Sequence, residues 1–121
     1  MSKSLTFQYL RDINLARANR WHPNGINDWS TNDWLVGFGG EAGEALNAGK
    51  KLKRLETNIQ QNGNTPQSIE EAKKHILDEL ADTILYADLV AASLNMSLEE
   101  AVIRKFNAIS DRENMPEKIN L

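Results

Sequence analysis

Cysteine is absent from the 121 residues. That excludes a disulfide framework, a thiolate nucleophile and a cysteine-ligated zinc site. No apolar run approaches the roughly eighteen residues of a membrane helix. The opening MSKSLTFQYLRD lacks the apolar core of a secretion signal, so a cytoplasmic location is expected. Positive charge is not in excess: 14 basic side chains stand against 17 acidic ones, a net charge of -3. This argues against the broad basic surface that holds nucleic acid, and no stable nucleic-acid partner is expected. No block of alternating β-branched residues reads as a strand, and no sequence repeat stands out. What remains is 40% hydrophobic and 26% charged, enough for one folded domain over residues 1–121.

The apolar positions recur at helical spacing. A first helix is expected from about Leu5 to Ala18, with Phe7, Leu10 and Ile13 facing a core. NRWHPNGIND follows as a loop, marked by Pro23, Asn24 and Gly25. Ser30 and Asp33 have capping-box spacing, and Trp29 and Trp34 flank them at the staple positions. The second helix then runs to about Ile59 through Leu35, Phe38, Ala42, Ala45, Leu52 and Leu55. QQNGNTPQ is a loop. Ser68 with Glu71 opens a third helix carrying Leu77, Leu80, Ile84, Ala87, Ala91 and Leu94. Asn95 ends it. Ser97 with Glu100 opens a fourth helix through Val102, Ile103, Phe106 and Ile109, which Pro116 stops. The expected fold is all-α, a four-helix bundle-like unit with short connections.

Two acidic pairs interrupt this apolar pattern: Glu41 with Glu44, and Glu79 with Asp82. Residues three apart share a helix face. Ile76, Leu77, Leu80, Ile84 and Leu85 surround the second pair, so at least one of its acids approaches the core. A buried unpaired carboxylate is costly, and two close ones repel. A hard cation such as Mg²⁺ relieves both, with waters and a substrate phosphate completing its shell. The alternatives are ordinary surface charge and a structural network with Lys or Arg. The lack of an acidic calcium loop argues against an EF-hand.

EAGE followed by ELAD, together with DELADTILYADLVAASLNMSLEEAVIRKFNAISDR, resembles the MazG-like all-α nucleoside triphosphate pyrophosphatases over roughly half the chain. The resemblance implies metal ligation and catalysis at Glu41, Glu44, Glu79 and Asp82. It implies Mg²⁺-dependent cleavage between the α and β phosphates, giving a nucleoside monophosphate and pyrophosphate, with dNTPs as the expected substrates. It also implies a homodimer or homotetramer. It departs from the family at Gly40, where many members carry a further acid, and so leaves the number of ions open. Phosphoribosyl-ATP pyrophosphatase is a related alternative. A non-enzymatic helical interaction protein is one of a different class.

Within that reading, Lys50, Lys53 and Arg54 follow the first acidic pair at spacings that share a face, and are candidates for phosphate. So are Lys105, Asn107 and Arg112 in the family-like tail. Solvated helix surface is the competing account of the lysines and arginines, and backbone satisfaction that of Asn107. Trp29 and Trp34 fit a helix-start staple, and the same rings are candidates to stack a base. His22 sits in a Pro/Gly loop and makes no metal cluster. His75 is expected on a helix surface or interface, and Tyr86 and Phe106 in packing. Gly37, Gly40 and Gly43 lie on one side of the second helix. Each costs about 0.5–1 kcal/mol relative to alanine; the missing side chains allow a close approach by backbone, ligand or subunit, and a harmless local bend is the competing account.

Overall fold

The computed structural model describes residues 4–58 and 68–120. Four α-helices account for most of them: α1 Phe7–Trp21, α2 Thr31–Glu56, α3 Ile69–Ser93 and α4 Leu98–Arg112. A short 3₁₀ turn, Gly25–Asp28, lies between α1 and α2. The fold is all-α, with bundle-like packing and no strand among the described residues. No described helix is long and apolar enough to cross a membrane.

Local chemistry sets where the helices begin. The Ser30 hydroxyl accepts from the Asp33 N–H at 3.1 Å, and the Ser30 N–H donates to Asp33 Oδ2 at 2.9 Å. This reciprocal box satisfies donors that the first helical turn leaves unpaired. Trp29 and Trp34 meet as the staple, with ring centroids 4.5 Å apart. Ser68 and Ser97 cap α3 and α4 through the N–H groups of Glu71 and Glu100. Thr6 does the same for α1 through Tyr9, so α1 starts two residues later than expected. Asn58, Asn95 and Asn114 each take a positive φ just beyond a helix C-terminus, a conformation asparagine tolerates better than most side chains. Ile59 and all of QQNGNTPQ lie outside the described residues.

The dominant pairing is α2 against α3. Thr31 meets Ser93 at 2.9 Å, Gly37 lies under Tyr86, and Glu41 clusters with Glu79 and Asp82. Rising numbers on α2 thus meet falling numbers on α3, so the two helices run antiparallel. Ala48 on α2 and Ala72 on α3 are both buried. α1 lies across α3, tied to it by Arg11 and Asn14.

The core follows the apolar periodicity only in part: Ala91 is buried, and Leu10, Phe38, Ala42, Leu52 and Ile103 are half-buried. Phe7, Ile13, Leu35, Leu77, Leu80, Ile84, Leu94, Val102, Phe106 and Ile109 are exposed. The buried positions of α1 are Asn14 and Ala18. The apolar cluster is small: Ala18, Trp34 and Leu89, with Ile26, Tyr86 and Val90 packed against it. The physical reason is that spacing identifies an apolar face without specifying what covers it. Several such faces are left uncovered within a single chain. Trp34, 2% exposed, anchors the cluster; truncating a buried tryptophan to alanine costs about 3–5 kcal/mol.

Candidate functional site

The antiparallel pairing carries α2 acids to α3 acids. One carboxylate oxygen from each of Glu41, Glu79 and Asp82 lies within 4.8 Å of the others. Glu41 Oε2 and Glu79 Oε2 are buried and have no hydrogen-bond partner. An orphaned buried oxygen is unfavourable unless a donor or cation completes it. The other oxygen of Glu79 is held by His75 Nε2 at 3.1 Å, which fixes the carboxylate so that Oε2 remains for the cluster. A hard cation with oxygen ligands fits this donor set and its missing positive charge.

Glu44 is exposed and stands outside the three-oxygen group. It still acts on Glu41. The Glu41 carboxyl is pushed above its ordinary value of 4.5, first by burial, then by the charge of Glu44 and that of Asp82. A hydrogen bond that protonated Glu41 donates to Glu44, and the charge of Glu79, add to the effect. Of the four expected acids, three therefore converge and the fourth is coupled to them.

Glu41 and Asp82 also line a cavity of about 240 Å³. Its remaining walls are aromatic and mixed: Trp21, His22, Trp29, Trp34 and Tyr86, then Asn14, Arg17, Ala18, Leu85 and Leu89. His22 sits edge-on to both Trp29 and Trp34, at 5.2 and 5.5 Å between centroids. The Trp34 N–H donates to Ile26 O at 3.0 Å, so Trp34 offers the cavity ring surface rather than a donor. Arg17 lies over the Trp21 ring, 4.9 Å from its centroid.

Both expected base-contacting tryptophans are thus in the cavity wall and in the staple at once. Asn14, Arg17, His22 and Tyr86 are cavity residues that the sequence reading did not select. Asn14 carried a signal, being polar on the face of α1 that carries Ala18 four residues on. His22 carried none, because the 3₁₀ turn and the caps place it.

The expected phosphate contacts are elsewhere. Lys50, Lys53, Arg54, Lys105 and Arg112 are all exposed, and none lines the cavity. Arg112 Nε pairs with Glu113 at 3.0 Å. Asn107 uses its amide on the backbone of the tail: Nδ2 donates to Ile119 O at 3.0 Å, and Oδ1 accepts from Ile119 N–H at 2.8 Å. Backbone satisfaction is therefore its observed role, although the groups belong to the tail and not to a helix.

Gly37 is the one glycine on its side of α2 with a close neighbour, Tyr86. A Cβ at Gly40 or Gly43 would meet nothing within 4 Å, so the close approach that those two positions allow is not made within this chain. No protein-family model, curated protein or solved structure matches the chain.

Proposed function

We propose that this chain is a Mg²⁺-dependent nucleoside triphosphate pyrophosphatase acting on deoxynucleotides. It releases a nucleoside monophosphate and pyrophosphate. The observation that carries this reading is that Glu41 and Asp82 belong both to the acidic cluster and to the wall of the aromatic cavity. A base stacked in the cavity has its phosphates directed towards the acids. The motif resemblance supports the same conclusion.

Glu41, Glu79 and Asp82 would hold the ion. When bound, Mg²⁺ neutralises phosphate charge and makes a coordinated water more acidic. Triphosphate cleavage is otherwise a matter of position and charge. Trp29, Trp34 and His22 bound the base on its faces. Arg17 supplies a cation at the cavity wall. Glu44, free of the three-oxygen group yet coupled to Glu41, takes the proton of the attacking water. The exposed lysines and arginines of α2 and α4 act on phosphate only if a second subunit brings them near.

The exposed apolar faces of α1, α3 and α4 favour assembly as a homodimer or homotetramer. The deciding experiment is a product-resolved screen of dNTPs and phosphoribosyl-ATP with Mg²⁺. Pyrophosphate released as the first product, without inorganic phosphate, supports the reading. Turnover confined to phosphoribosyl-ATP replaces it with the related activity. No turnover with any of these replaces it with a non-enzymatic role.

A further inference from the structure

Beneath the aromatic cavity lies a buried polar relay that the reaction above does not use. Asp88 is 1% exposed and Asn14 is 4% exposed. Arg11 Nε donates to Asp88 Oδ1 at 2.9 Å, balancing its charge. Asp88 Oδ2 accepts from Asn14 Nδ2 at 3.1 Å, and Leu85 O accepts from the same nitrogen at 2.9 Å.

A primary amide nitrogen has two hydrogens. Both of Asn14's are committed. The reversed amide would set its oxygen against a carboxylate and a carbonyl, so Arg11 and Asp88 fix which way Asn14 points. Asn14 also lines the cavity, and the polar atom it can still offer is Oδ1, an acceptor. The neighbouring indole N–H of Trp34 is withdrawn onto Ile26. At Asn14, itself buried, the cavity wall therefore asks its occupant for a donor.

We infer that Asn14, held by Asp88 and Arg11, is a specificity-determining residue that selects nucleotides whose base carries an exocyclic amino group, adenine or cytosine, over their carbonyl counterparts. This rests on the nucleotide reading given above. Adenine N6 and cytosine N4 present N–H₂ donors, whereas a carbonyl at the same position presents an acceptor. Acceptor facing acceptor leaves two polar atoms without a partner in each other, and such losses are unfavourable.

The test uses two isosteric pairs as α,β-imido triphosphates, which resist cleavage, with Mg²⁺ and the wild-type protein. These are dATP against dITP and dCTP against dUTP. Calorimetric titration should show the amino member of each pair binding roughly tenfold to a hundredfold more tightly. Asn14→Ala, checked for helical content by circular dichroism, should narrow both ratios. Equal or reversed affinities within the pairs in the wild-type protein overturn the inference while leaving the nucleotide reading intact. So do unchanged ratios in folded Asn14→Ala. Failure of all four analogues to bind overturns the nucleotide reading and the inference with it.

Discussion

Gly37 lies so close beneath Tyr86 that a Cβ added there would come within 2.4 Å of the Tyr86 ring carbon Cε1. The missing side chain lets the ring lie against α2 while forming part of the cavity wall. Gly37→Ala should displace that ring. Overpacking costs about 1–3 kcal/mol, partly offset by the better helix propensity of alanine, worth about 1 kcal/mol. The expected result is weaker nucleotide binding with a small change in melting temperature. Gly40→Ala and Gly43→Ala meet open space and should stabilise the isolated chain by about 0.5–1 kcal/mol. Wild-type affinity in Gly37→Ala would show that Tyr86 has no part in the cavity's function.

The acidic cluster predicts a metal requirement. Chelation with EDTA should abolish turnover and Mg²⁺ should restore it. Glu79→Ala and Asp82→Ala should lose turnover while keeping helical content. His75→Ala, which releases Glu79 Oε1, should weaken Mg²⁺ affinity by roughly 10–100-fold, as loss of a residue that orients a ligand does. Mg²⁺ titration of activity reads all three variants. Full turnover in EDTA would remove the metal from the mechanism.

Glu41 adds a pH dependence with a definite sign. Its folded-state carboxyl is raised above 4.5, chiefly by burial and then by the neighbouring acids. The folded protein thus binds this proton more tightly than the unfolded chain does. The resulting stabilisation is full below 4.5 and is lost as pH rises through the folded value. Metal-free protein should lose this stabilisation in thermal melts as pH is raised above 4.5, and Glu41→Gln should reduce the slope. Mg²⁺ should stabilise the wild type more at neutral than at mildly acidic pH, because it competes with the proton. A slope identical in Glu41→Gln would assign the effect to other groups.

The helices and the acids were legible in the sequence for the same reason: both depend on short spacings. Ser30 with Asp33, Ser68 with Glu71 and Ser97 with Glu100 are contacts between residues three apart. Glu41 and Glu79 were visible as acids set among apolar neighbours. The cavity was not legible, because His22, Asn14 and Tyr86 come from α1, its following loop and α3, brought together only by packing. Ile13 and Asn14 show the limit most directly. Hydropathy puts isoleucine inside, yet Ile13 is exposed and Asn14 is buried against Leu85 and Asp88.

Assembly is the natural account of those exposed residues. Phe7 and Ile13 on α1, Leu77, Leu80 and Ile84 on α3, and Phe106 and Ile109 on α4 are all uncovered. Light scattering coupled to gel filtration should give a dimer or tetramer. Leu80→Lys combined with Ile84→Lys should shift it towards monomer if the α3 face is in the interface. A monomer active at every working concentration would defeat the prediction.

The arrangement of Trp29 and Trp34 has an optical consequence. The chain has three indoles; two of them stand 4.5 Å apart in the cavity wall with an imidazole edge against each, and the third lies beneath the Arg17 cation. Rings this close couple electronically, and their emission answers to whatever enters between or beside them. The cavity therefore carries its own fluorophores, so occupancy can be followed by intrinsic emission and near-ultraviolet dichroism without a label.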